Sequence, residues 1–210
     1  MKLRLLSAAV LATLTALPVA AHQAGDLMLR FGAANVSPNA GSQDVAGLGE
    51  FDIDSNTQLG LNLTYMATDH VGIELLAATP FSHKVSLPSL GNIAEVQHLP
   101  PTLMAQYYFG DAGSKVRPYL GVGVNATLFF EEKFTNDLDG ALTDLSADTS
   151  WGVAGQVGVD YLFSERWLFN ASVWYLDIDT DVNFKLGGEA VTIATEVDPW
   201  VYMVSFGYRF

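Results

Sequence analysis

The chain of 210 residues carries 23 Asp and Glu against 10 Lys and Arg, half of it is hydrophobic, and it contains no cysteine. These numbers exclude disulfide scaffolds and thiolate metal sites. The acidic balance, with no basic patch, excludes nucleic acid as a partner.

Lys2 and Arg4 precede the short apolar run LLSAAVLATLTALPVAA, which ends in small residues with Val19 and Ala21 where a signal peptidase reads. We read residues 1–21 as a cleaved secretory leader, too brief for a membrane-spanning helix. The remaining single domain, 22–210, keeps eight bases against 23 acids, a net charge of −15. It has no run of about 20 apolar residues. Any crossing of a membrane must therefore be made by strands.

From there the chain resolves into eight segments with apolar residues at alternate positions, near 26–35, 57–67, 71–79, 95–109, 116–130, 150–163, 167–178 and 196–210. The connections at 68–70, 111–115 and 164–166 are short; those at 36–56, 80–94, 131–149 and 179–195 are long. Tight turns at one end and long loops at the other predict an all-β fold, an eight-stranded antiparallel up-and-down β-barrel.

The second row of each segment decides which side meets water. In the second segment Leu59, Leu61, Leu63 and Tyr65 alternate with Gln58, Gly60, Asn62 and Thr64; in the fifth, Leu120, Val122, Val124 and Leu128 alternate with Tyr119, Gly121, Gly123, Asn125 and Thr127. A solvated face of a soluble protein is rich in Lys and Glu, whereas these rows are small and uncharged. They suit a confined interior, with the apolar rows turned to lipid. Tyr65, Tyr107, Phe109, Phe130, Tyr161, Phe163, Trp167 and Trp200 are expected to form the interfacial girdles. The chain closes on Phe206, Tyr208 and Phe210, on the lipid-facing row of the last strand, a terminus similar to the signal read by the machinery that inserts outer-membrane barrels.

Near the short-turn end the inward row carries Arg30, Glu74, Asp160 and Arg209, two acids and two bases that should pair as a salt-bridged floor, because an isolated buried charge is costly. Higher up it turns apolar at Leu76, Met104, Leu168, Trp174 and Leu176. That bulk suits either a plug or a pocket for a greasy solute, eight strands leaving just enough room for one or the other. The long connections hold most of the acid, explained by solvation or by divalent-cation bridging to lipopolysaccharide. The histidines 22, 70, 83 and 98 are scattered without paired metal spacing, and no nucleophile or phosphate motif is present. No enzyme activity, cofactor or metal is expected.

The phrases TQLGLNLTYMATD, VGIELLAATPFSHK, HLPPTLMAQYYFGD, RPYLGVGVN, WGVAGQVGVDYL, NASVWYLDIDT and DPWVYMVSFGYRF together closely resemble the OmpW family of outer-membrane proteins, from about His22 to Phe210. The resemblance implies a narrow hydrophobic channel passing small apolar molecules through an opening in the barrel wall, with a Leu and a Trp as its constriction. These fall on Leu76 and Trp174, which the alternation also places inside. Pro100 and Pro101 remove two ladder donors from the fourth segment, so a break in pairing is expected there, a candidate lateral exit.

The expected function is a passive outer-membrane channel or pocket for small hydrophobic solutes, without energy coupling. The alternative is a closed structural or receptor barrel, met by phage or colicin or serving in envelope stress. Expected partners are hydrophobic solutes, outer-membrane lipid and lipopolysaccharide, and the insertion machinery, with the chain a monomer.

Overall fold

The computed structural model describes residues 22–45 and 47–210; the leader lies outside the described residues. Every regular element it describes is a strand: β1 (Leu27–Ser37), β2 (Gly41–Ser42), β3 (Asp52–Ile53), β4 (Asn56–Met66), β5 (Val71–Ala78), β6 (Phe81–Leu87), β7 (Gly91–Leu99), β8 (Thr102–Tyr108), β9 (Val116–Phe134), β10 (Leu142–Ala147), β11 (Ser150–Leu162), β12 (Trp167–Leu176), β13 (Asp179–Leu186), β14 (Glu189–Glu196) and β15 (Trp200–Arg209).

Eight of them, in the order β11-β12-β15-β1-β4-β5-β8-β9, form an antiparallel sheet that β9 closes onto β11. Closure leaves no edge in the barrel, which a bilayer demands because lipid offers backbone groups no partners. The hydrophobic faces are reversed relative to a soluble protein. Val122, Val153 and Leu120 are 71%, 64% and 52% exposed, whereas Asn62, Thr64, Asn125 and Asn170 on the other row are fully buried.

The aromatic girdle near the short turns contains Tyr65, Tyr107, Phe109, Tyr161, Phe163 and Trp167, all exposed as expected. Trp151, at the long-loop end of β11, is the most exposed large hydrophobic residue described, at 77%, and the alternation had passed over it. Phe206 and Phe210 also face outward; Phe206 meets Phe169 and Tyr208 meets Trp167 edge to face, with ring centroids 5.8 and 5.0 Å apart.

Two of the eight expected segments start several residues later in the structure. Residues 95–99 belong to β7, separated from β8 by Pro100 and Pro101, and residue 196 ends β14, so the last barrel strand starts at Trp200. All four long connections also contain strands. β6 and β7 form a hairpin that continues upward on β9 and is flanked by β3, while β10, β13, β14 and β2 make a separate four-stranded sheet. Their sequences mix Lys, Asp and Thr with single apolar residues, which masked the strand period. What they bury is an apolar cluster of Val45, Phe51, Leu87, Ile93, Ala94, Leu142, Phe184 and Ile193, standing above the barrel mouth.

Candidate functional site: a stratified interior

Three layers fill the barrel. The lowest, beside the short turns, packs Met28, Met66, Tyr108, Tyr119, Leu162 and Leu168. Leu168, expected in the upper lumen, belongs here: it is the second residue of β12, just after the turn, and lies beside Arg30 at Gly207.

Above it sits the charged layer, organised by Arg30. Its guanidinium donates Nε to Asp160 at 3.2 Å, one terminal nitrogen to Thr64 at 2.7 Å and Glu74 at 2.8 Å, and the other to Tyr108 at 2.9 Å and Asp160 at 2.5 Å. Those five bonds match the five N–H donors an arginine possesses. The acids are equally engaged. Asp160 also accepts from Asn170 at 2.7 Å and lies 2.8 Å from His22 Nε2, and Glu74 accepts from Gln156 at 2.9 Å, which in turn accepts from Gln106 at 2.8 Å. Arg30, Glu74 and Asp160 are wholly buried. Three of the four expected floor residues are thus joined.

Arg209 is placed elsewhere. Its guanidinium is 3.3 Å from Asp26 and donates to the Glu165 carbonyl at 2.6 Å, on the rim, because it is the last residue of β15. The basic side chain that sequence reasoning missed is Arg117, fully buried at the bottom and bonded to the carbonyls of Phe109 and Asp69. Its parity with Tyr119 on the inward row was the available signal. His22 lies ahead of the first strand, where alternation says nothing.

The upper layer is apolar: Leu76, Met104, Trp174, Leu176, Ile178, Val201 and Met203 with Ala34, Val36 and Phe81. Leu76, Trp174, Met104 and Leu176 are therefore gathered in one cluster. It continues upward, through Ile53, Phe129 and Val197, into a cavity of about 110 Å³ roofed by the outer hairpins. The walls of this chamber include Phe51, Leu87, Ile93, Phe134, Leu145 and Phe184, with His83 and His98 as imidazoles on the β6–β7 side.

β6 and β7 bring these two histidines together. Their Nε2 atoms are 3.1 Å apart, and His83 Nδ1 donates to the Asp54 carbonyl at 2.6 Å. The pair stands in the outer hairpin, at the level where β9 leaves its lipid-facing row after Leu128. Burial pushes the His98 imidazole down to about 3, with His83 adding to the effect, and burial lowers His83 against the opposing pull of Asp54.

The barrel wall beside the upper layer is interrupted. β5 pairs with β8 no further than Leu76 with Thr102, and β6 and β7 resume at Phe81 with His98. Between these, residues 77–79 stay bonded to β4 and Leu99 and Pro101 to β9, so each flank is anchored to its outer neighbour. No ladder pair joins 77–80 to 99–101. Pro100 and Pro101 lie in this unpaired stretch. Pro101 turns its carbonyl to the Ala126 amide on β9, so of the two prolines it is Pro100 whose missing N–H faces the gap, and Pro80 lacks one in the opposite segment.

At the outer end, Asp177, Asp179 and Asp198 bring carboxylate oxygens within 4.8 Å of one another. Burial, reinforced by Asp198 and Asp177, raises the Asp179 carboxyl above its usual range.

A closed barrel with its apolar rows outside, aromatic rims at both ends and short turns opposite long hairpins is an outer-membrane β-barrel protein. A family model described as the OmpW family matches residues 23–210. The chain is 54% identical over 212 residues to outer membrane protein W of Escherichia coli (strain K12), covering 100% of both chains. It is 31% identical over 193 residues to outer membrane protein AlkL of Ectopseudomonas oleovorans, covering 90% of this chain and 76% of that one. The crystal structure of OprG from Pseudomonas aeruginosa superposes with a TM-score of 0.84 at 43% identity, covering 90% of this chain and 97% of the other. The chain belongs to the OmpW family.

Proposed function

We propose that the protein is a passive conduit that takes small hydrophobic molecules from the outer chamber and releases them sideways into the membrane. One observation carries this reading: an apolar chamber and cluster end below in a charged layer with every arginine donor engaged, while the wall beside that cluster is unpaired at 77–80 and 99–101. Axial passage would require opening buried ion pairs, each costing several kcal/mol to break. Lateral release needs no such step, and an apolar solute loses nothing by moving from Leu76 and Trp174 into hydrocarbon. No energy source is required, because transfer out of water is downhill.

In this reading Leu76 and Trp174 form the constriction, Met104 and Leu176 complete its apolar wall, and Pro100 and Pro101 hold the exit open. The test is uptake of a hydrophobic fluorescent dye by proteoliposomes. Pro100→Val with Pro80→Thr restores a backbone donor in each flank of the gap and is expected to slow dye transfer severalfold, while Trp174→Ala widens the passage and changes the rate in the opposite sense. Equal rates in the wild type, both variants and empty liposomes would favour the closed structural or receptor barrel instead.

A further inference from the structure

Among the described residues, the buried side-chain atoms without a hydrogen-bond partner are on His22, Asn62, His98, Trp174 and Ser205. Of these residues His98 lines the outer chamber. The atom in question is its Nδ1, on a side chain only 3% exposed.

Its protonation follows from its neighbours. A backbone carbonyl only accepts, so the 2.6 Å contact with the Asp54 carbonyl requires a proton on His83 Nδ1. In a neutral ring that leaves His83 Nε2 as an acceptor, and the 3.1 Å contact must be donated by His98 Nε2. His98 Nδ1 is then a bare lone pair. Burial keeps both rings neutral at ordinary pH, as this chain of bonds requires.

A buried acceptor left unmet is costly and calls for a donor. Water fits poorly: it needs two to four polar partners, and the rings against His98 are Phe81, Phe129 and an already bonded His83, with centroids 5.5, 5.9 and 4.9 Å away. Nδ1 is sealed from the chamber in the structure, so a solute reaches it by displacing one of the packed phenyl rings; an apolar body bearing a single O–H or N–H then supplies the donor and fills the dry remainder. A cavity of about 110 Å³ is on the scale that takes a single aromatic ring.

We propose that His98 is a hydrogen-bond-accepting subsite of the chamber, so that the protein prefers small apolar solutes carrying one donor, such as phenols, over hydrocarbons of the same shape. The proposal rests on the chamber being the solute site. Phenol and toluene, which differ by a hydroxyl in place of a methyl, separate the two ideas. Each is titrated against the methyl resonances of Ile53 and Ile93 in nanodiscs, for the wild type and for His83→Phe with His98→Phe, which removes both acceptors and keeps the rings.

The phenol-to-toluene preference is expected to fall about tenfold in the double variant, the worth of one buried hydrogen bond. Binding of both probes with an unchanged preference overturns the subsite and leaves the conduit standing; binding of neither overturns both. Should the variant not fold, histidine ¹⁵N spectra of the wild type decide. An unprotonated Nδ1 signal for His98 that shifts with phenol and not with toluene supports the proposal, and a protonated Nδ1, or no shift, sinks it.

Discussion

Arg30 shows how a charge can be kept inside an eight-stranded barrel. Its five donors end on Asp160, Glu74, Thr64 and Tyr108, so removing the guanidinium strands two buried carboxylates rather than one bond. Arg30→Ala is expected to cost about 3–5 kcal/mol, the usual loss when one partner of a buried pair is deleted. Thr64→Val, which removes a single hydroxyl from the same network, is expected to cost about 1 kcal/mol. Urea-induced unfolding in detergent micelles, followed by tryptophan fluorescence, measures both; equal costs would show that Arg30 does not organise the layer. Gly158 illustrates steric selection in the same region, since a Cβ there would enter the ring of Tyr119, whose hydroxyl accepts from Asn170. Gly158→Val should therefore perturb the charged layer through Tyr119 and Asn170, although it adds no charge.

At the scale of elements, the β6–β7 hairpin is held by the neutral histidine pair, and this gives it a pH dependence. His83 and His98 both titrate below their ordinary value of 6.5, His98 at about 3, so between these pH values the opened hairpin binds protons that the closed one refuses. Stability of the hairpin is complete above pH 6.5 and is lost progressively as the pH falls toward 3. The carboxylate of Asp54, 3.9 Å from His83 Nδ1, moderates the loss by favouring a protonated His83. Amide hydrogen exchange at Val85 and Ala94 is expected to accelerate from pH 6.5 to 4, after correction for the intrinsic rate, and the acceleration should vanish in the variant with His83→Phe and His98→Phe.

For the whole molecule, the exposed apolar rows mean that the fold exists only with lipid or detergent around it. Its assembly should depend on the last strand, where Phe206, Tyr208 and Phe210 lie on or beside the lipid face and where β15 pairs with both β1 and β12. Deleting Phe210 removes one exposed ring and the bond from its amide to the Leu27 carbonyl, the contact that ends the β1–β15 seam. The expected result is less folded barrel in the outer membrane of expressing cells, read from the heat-modifiable gel shift, with little change in the stability of the barrel that does form. An unchanged amount of folded barrel would show that the Phe210 ring and its amide are dispensable for assembly.

Much of this architecture was legible in the residue order. A period of two is a local property, so Leu59 to Tyr65 and Leu120 to Leu128 declared their faces without reference to any other strand. The absence of Lys and Glu from the opposite rows decided which face met lipid. Pro100 marked a place where the ladder loses a donor for an equally local reason, the lack of an N–H. Only the closed barrel could decide which inward residues meet. That depends on strand tilt and stagger, which set the height of each side chain across the lumen. Tertiary structure therefore joined Arg30 to Asp160, 130 residues away, placed Leu168 beneath the charged layer and Arg209 on the rim, and set His83 against His98 in the wall of an apolar chamber.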